Sequence, residues 1–171
     1  MSRNTIEEIK FECYKTNKVS VVFMPILLLT LGIFTRWVCG SPLATLHYVG
    51  ARGLVPPSWV MVLLFSASYI VAGLSLGIAL GYRFGCNTVR KYQGAMWFIL
   101  ALALGYVWYP LFFCSRLFLV SVITNALCLF CSICATICLA DVSRIAFFLA
   151  VLYDTWLIYL LFLNLQIFFS I

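Results

Sequence analysis

Residues 117–140 read LFLVSVITNALCLFCSICATICLA, a stretch without a single charge. Inside it Cys128, Cys131, Cys134 and Cys138 fall as C-x2-C-x2-C-x3-C, the spacing with which bacterial ferredoxins ligate an iron–sulfur cluster. An irregular cysteine loop and an apolar helix therefore compete for the same residues. At about 100° per residue the four thiols of a helix share one stripe within an arc of roughly 120°. Along the axis, however, the first and last stand about 15 Å apart, too far to converge on one compact cluster. The ferredoxin run also ends in Cys-Pro, whereas Leu139 follows Cys138 here. Opening the helix into a loop would expose backbone groups to lipid at a cost of several kcal/mol each. The stretch is read as a membrane-spanning helix whose cysteines are a packing stripe of small, polarizable side chains, and no metal site is assigned.

The rest of the chain agrees with a membrane setting. Of 171 residues, 65% are hydrophobic and 9% charged, far from a soluble composition. A spanning helix needs about 20 apolar residues because the hydrocarbon core is about 30 Å thick. Five runs reach that length, roughly 19–39, 59–82, 94–113, 117–140 and 145–171, after a polar tail over 1–18. The fold class is an all-α membrane protein, a bundle of five transmembrane helices. The first run is too long for a signal h-region and is expected to stay as a helix. Most of the eight cysteines lie within apolar runs and act as small hydrophobes.

Basic residues set the expected orientation. Arg3, Lys10, Lys15 and Lys18 precede the first span, Arg83, Arg90 and Lys91 follow the second, and Arg144 follows the fourth. The opposite side has only Arg36, Arg52 and Arg116. The positive-inside rule places the N-terminus and second loop inside, in a bacterial plasma membrane or an organellar one. The net charge of +6 is thereby assigned to topology and contact with membrane lipid, and no nucleic acid is implied. Gly73, Gly77 and Gly81 form a small-xxx-small stripe on the second span, with Ala101 and Gly105 doing the same on the third. Such stripes serve packing within the bundle or a homodimer contact, and the sequence leaves both open.

Three motifs carry more information than the cysteines. Pro56-Pro57-Ser58-Trp59 leads into the second span, with Tyr69 and Gly73 ten and fourteen residues beyond the Trp. Trp108-Tyr109-Pro110-Leu111-Phe112-Phe113 ends the third. The fifth holds Tyr153-Asp154-Thr155-Trp156, then Leu163-Asn164, with Ala146 seven residues before Tyr153. Together these resemble the TspO/MBR family of translocator proteins, also called peripheral-type benzodiazepine receptors or tryptophan-rich sensory proteins. The resemblance spans roughly residues 40 to 165.

That resemblance implies a five-helix bundle, often dimeric, binding tetrapyrroles such as porphyrin or haem, sterols or benzodiazepine-like drugs in a pocket capped by the first loop. No cofactor is required; porphyrin or haem enters as a ligand. Trp59 and Trp156 match the tryptophans associated in the family with bound porphyrin and with its light-dependent breakdown. Trp108 matches a tryptophan lining the drug pocket, and Leu160 a ligand-contacting position. The candidate ligand-binding set is Trp59, Trp108, Trp156, Tyr69, Tyr153, Asp154, Leu160 and Asn164, with no catalytic residue. Broad aromatic faces suit a flat ligand because each buries about 150 to 250 Å² and prefers offset stacking. Tryptophans near span ends also serve as interfacial anchors, the competing reading for Trp59.

The chain departs from the family pattern at several points. Ala51-Arg52-Gly53-Leu54-Val55 replaces an aromatic part of the first loop, Gly105 stands where Asn is common, and Phe65 replaces a Trp. Leu152 replaces a Pro, Leu165 an aromatic, and the C-terminus lacks the basic residue of a proposed cholesterol motif. Asp154 lies deep in the fifth span, where a carboxylate costs several kcal/mol unless it is neutral, paired or wet. It is read either as a contact for a ligand's polar group, as an acceptor from Tyr69 or Tyr153, or as a hydrogen-bonded structural acid. His47 is read as a solvated loop residue.

Three function classes remain: a receptor or carrier for a planar hydrophobe, an enzyme or photochemical degrader of porphyrin, and a transporter subunit or scaffold without a ligand pocket. HExxH does not occur, and the one GxSxG match, Gly73-Leu74-Ser75-Leu76-Gly77, lies inside the second apolar span and not on the strand-to-helix turn that a nucleophile elbow needs. A cavity between the second, third and fifth helices would favour the first class.

Overall fold

Lipid offers backbone groups no partners, so an apolar run in it closes its own hydrogen bonds as a helix. A computed structural model describes residues 17–39, 56–82 and 88–170. These form α1 (Lys18–Cys39), α2 (Ser58–Gly81), α3 (Thr88–Phe113), α4 (Phe118–Ala140) and α5 (Arg144–Ser170). All five are long and apolar enough to cross a membrane. The tail over 1–16, the first loop over 40–55 with His47, and 83–87 lie outside the described residues.

Local sequence explains where the helices start and stop. Pro57 holds an extended backbone, φ −51° and ψ 147°, and its carbonyl accepts from the Val60 and Met61 N–H groups at 2.9 and 3.1 Å. The proline pair thus sets the first turn of α2. Helix α3 begins six residues before the apolar run expected over 94–113, because its polar opening turn continues helically beyond the span. There Lys91 Nζ donates to the Tyr82 carbonyl at 2.7 Å, and Arg90 pairs with Asp141 at 3.7 Å. A tight turn joins α3 to α4 through Arg116, whose φ of 53° is left-handed.

The extensive contacts run α1 to α2, α2 to α5, α5 to α4 and α4 to α3, and slighter ones join α3 to α1 and α2. Small residues set these distances. A Cβ added at Gly73 would collide with the Pro25 backbone, and one at Gly77 would stand 2.6 Å from the Ser20 carbonyl oxygen. The glycine stripe of α2 is therefore occupied within the chain by α1. Fully buried Ala146 lets α5 approach α2 closely enough for Ser75 Oγ to donate to its carbonyl at 2.8 Å.

Residues 118–140 form one unbroken helix, so the cysteines are strung along α4. Cys128, Cys131 and Cys138 are buried, and the Cys128 thiol donates to the Ala101 carbonyl of α3 at 3.0 Å. Around the bundle, Phe23, Phe34, Met96, Phe130, Phe148 and Phe162 stand exposed. A water-facing surface of that kind would aggregate; in a bilayer it is the lipid contact.

Candidate functional site

The loop-side half of the bundle is filled by rings. Trp108 is buried and lies along Phe65 and Phe112, with centroids 6.2 and 5.4 Å away. Trp156 meets Phe65 edge-on at 5.2 Å, and Tyr69 stacks on Tyr106 at 5.3 Å, the latter donating its hydroxyl to the Leu28 carbonyl at 2.7 Å. The α3 motif thus delivers Trp108 and Tyr109 inward, while Pro110 two residues on accepts through its carbonyl from the Cys114 and Ser115 N–H groups and so finishes the helix.

Beside these rings is a small cavity of about 20 Å³, between α2, α3, α4 and α5. Tyr69, Trp108, Tyr153, Trp156 and Leu160, five of the eight candidate residues, line it, together with Asn125 and Gly105 among others. A cavity of this size has room for about one water. Gly105 helps to open it: a Cβ there would face the Tyr153 hydroxyl at 3.6 Å and Cys128 Sγ at 3.8 Å. Outside it, a groove of about 380 Å³ runs along α2 and α5, walled by Leu64, Val71, Thr155 and Tyr159 with Ser68, Tyr153 and Trp156. The last three line both spaces, so their side chains are the partition between them. A third space of about 100 Å³ lies between α1, α2 and α3 beside Arg36 and Tyr109, and shares Phe65 and Tyr69 with the cavity.

Three candidates lie elsewhere. Trp59, on the first turn of α2, is 65% exposed and is not brought to the cavity. Asp154 turns toward α4, where Ser132 Oγ donates to its Oδ1 and Thr136 Oγ1 to its Oδ2 at 2.8 Å. Its partners are hydroxyls of α4, in place of the tyrosines the sequence offered. Asn164 is buried two turns beyond Trp156, and neither atom of its amide has a partner among the described residues.

Sequence reasoning passed over Asn125, Ser132 and Thr136. Ser132 and Thr136 are four apart and so share a helix face, while Asn125 precedes Cys128 by three residues on the packed side of α4. A polar residue on the inward stripe was the available signal, and the cysteine pattern drew attention from it. Among the described residues no group of His, Cys, Asp or Glu could hold a metal ion.

The TspO/MBR family model matches residues 23–169, nearly the whole chain. The chain belongs to the TspO/MBR family. Among curated proteins, none matches the sequence. As a TspO/MBR member with five apolar helices it is a multi-pass integral membrane protein. All three motifs fall within the matched residues, and the ring-filled interior sits where two of them, WYPLFF and YDTW, converge.

Proposed function

We propose that this protein is a membrane receptor or carrier for a planar hydrophobic ligand of the tetrapyrrole kind, bound between α2, α3 and α5. The observation that carries the reading is the wall of Trp156, Tyr153 and Ser68 between a membrane-facing groove and an aromatic cavity. A groove of about 380 Å³ lies in the range of small-molecule sites, roughly 300 to 1,000 Å³. A lipid-soluble ligand reaches it directly from the bilayer. Rotation of the Trp156 indole joins groove to cavity and offers the ligand the faces of Trp156 and Trp108. In this reading Trp59 is an interfacial anchor, and the end carrying Lys18, Arg90, Lys91 and Arg144 faces the cytoplasmic side. No catalytic step is assigned.

Titrating purified protein with protoporphyrin tests this. Saturable quenching of tryptophan fluorescence is expected, with affinity falling about tenfold or more in Trp156→Ala as an aromatic contact is lost. Trp59→Ala is expected to change it far less. Saturable binding indifferent to Trp108→Ala and Trp156→Ala would overturn the assignment. A scaffold without ligand draws support from the small size of the cavity, about 20 Å³, and predicts no saturable binding at all.

A further inference from the structure

Two cysteines stand apart from the stripe on α4. Cys39 is the last residue of α1 and Cys114 the first beyond α3, so both lie at the loop-side end of the bundle. The Cys114 N–H donates to the Pro110 carbonyl at 2.9 Å, which carries the last turn of α3 through Cys114 and fixes where its side chain starts. Cys39 is half-buried and packs on the cluster that holds Trp108, Tyr109, Phe112 and Phe113. Across this seam the Cys114 thiol donates to the Cys39 carbonyl at 3.6 Å, and the two thiols are within hydrogen-bonding reach of each other. Both thiols are free.

The geometry points to a disulfide between Cys39 and Cys114, a covalent tie between the ends of α1 and α3. Closing it turns Cys114 Sγ about its Cα–Cβ bond from the Cys39 carbonyl to the Cys39 sulfur, with the Cβ atoms settling about 3.5 to 4.5 Å apart. The oxidant is a disulfide, carried by a small thiol compound or by a protein. Cys114 is exposed and meets it first. As thiolate, Cys114 attacks one sulfur of the oxidant and expels a thiolate, leaving a mixed disulfide. Cys39 gives up its proton, attacks Cys114 Sγ and expels the second thiolate. Two cysteine thiols are oxidised, the oxidant is reduced to two thiols, and the two protons pass to them. Burial keeps Cys128, Cys131 and Cys138 from the same reaction. The tie falls where it adds most, because the contacts between α1 and α3 are slight. It also closes α2 and α3 into one covalent loop, which takes freedom from the unfolded chain. The bond needs no bound molecule and so stands apart from the receptor reading.

Full-length protein in lipid nanodiscs tests this. It is treated with oxidised glutathione, remaining thiols are blocked with N-ethylmaleimide, and peptides are read by mass spectrometry before and after reduction. A peptide pair joined through Cys39 and Cys114 and parted by dithiothreitol is expected, together with a rise of roughly 5 °C or more in the unfolding temperature. Neither Cys39→Ser nor Cys114→Ser is expected to show that rise. Because each variant is compared with itself before and after oxidation, a general loss of stability does not imitate the effect, and either variant suffices if the other misfolds. Recovery of Cys39 and Cys114 each with a maleimide or a glutathione of its own would overturn the inference, as would pairing of either with another cysteine. A rise in unfolding temperature that persists in both variants would also overturn it.

Discussion

Asp154 shows how a residue's meaning depends on which face of its helix it occupies. The sequence places a carboxylate deep in a span and so marks it as a site. Two residues away Trp156 faces the cavity, but a step of two turns about 200° around a helix. Asp154 accordingly faces α4, where Ser132 and Thr136 donate to both its oxygens. Asp154→Ala leaves two hydroxyls facing a void and is expected to cost about 1 to 3 kcal/mol. Thermal unfolding in detergent should show the loss, with the protoporphyrin affinity of the folded fraction changed less than threefold. A large drop in affinity at unchanged stability would make Asp154 a ligand contact. The family tryptophans were legible singly. That Trp108 and Trp156 share a cavity wall while Trp59 faces outward was not, because helix rotation is fixed by partners that a linear pattern leaves unspecified.

Among elements, the five helices and their ends follow almost directly from hydropathy, since a span's length is dictated by the bilayer. The polar first turn of α3 escaped because helices do not stop where hydrophobicity does. Pairing is a further step. The Gly73–Gly77 stripe marked a close approach but named no partner, and the occupant is α1, whose Pro25 and Ser20 backbones fill it. Gly73→Ala must push backbone from backbone and is expected to destabilise by about 1 to 3 kcal/mol, as overpacking does. Gly105→Ala meets ordinary contacts with Tyr153 and Cys128 and trades a poor helix former for the best one. It is expected to leave the unfolding temperature unchanged or raised. The opposite order of stabilities for these two variants would show that the α1–α2 contact is looser than described.

On the scale of the whole molecule, the ring of contacts is closed least firmly between α3 and α1, while its outer belt is apolar all round. The orientation proposed for it in the membrane rests on charge alone. Cys114, exposed where α3 ends, should react with a membrane-impermeant maleimide added outside intact cells, in a variant that retains Cys114 as its only cysteine. Labelling that requires opening the cells would reverse the assigned topology. Family and architecture were readable in the sequence because motif spacing survives on helices. The size of the interior space was not, since a cavity of about 20 Å³ beside a groove of about 380 Å³ depends on how Trp156, Tyr153 and Ser68 are turned. The central claim is that ligand occupies the space behind those three side chains. Gly105→Leu fills that space and leaves every tryptophan in place, so protoporphyrin titration of this variant beside the unmodified protein is the most direct measurement. Saturable binding in the unmodified protein and its loss in a folded Gly105→Leu variant is the predicted result; equal affinity in the two would contradict it.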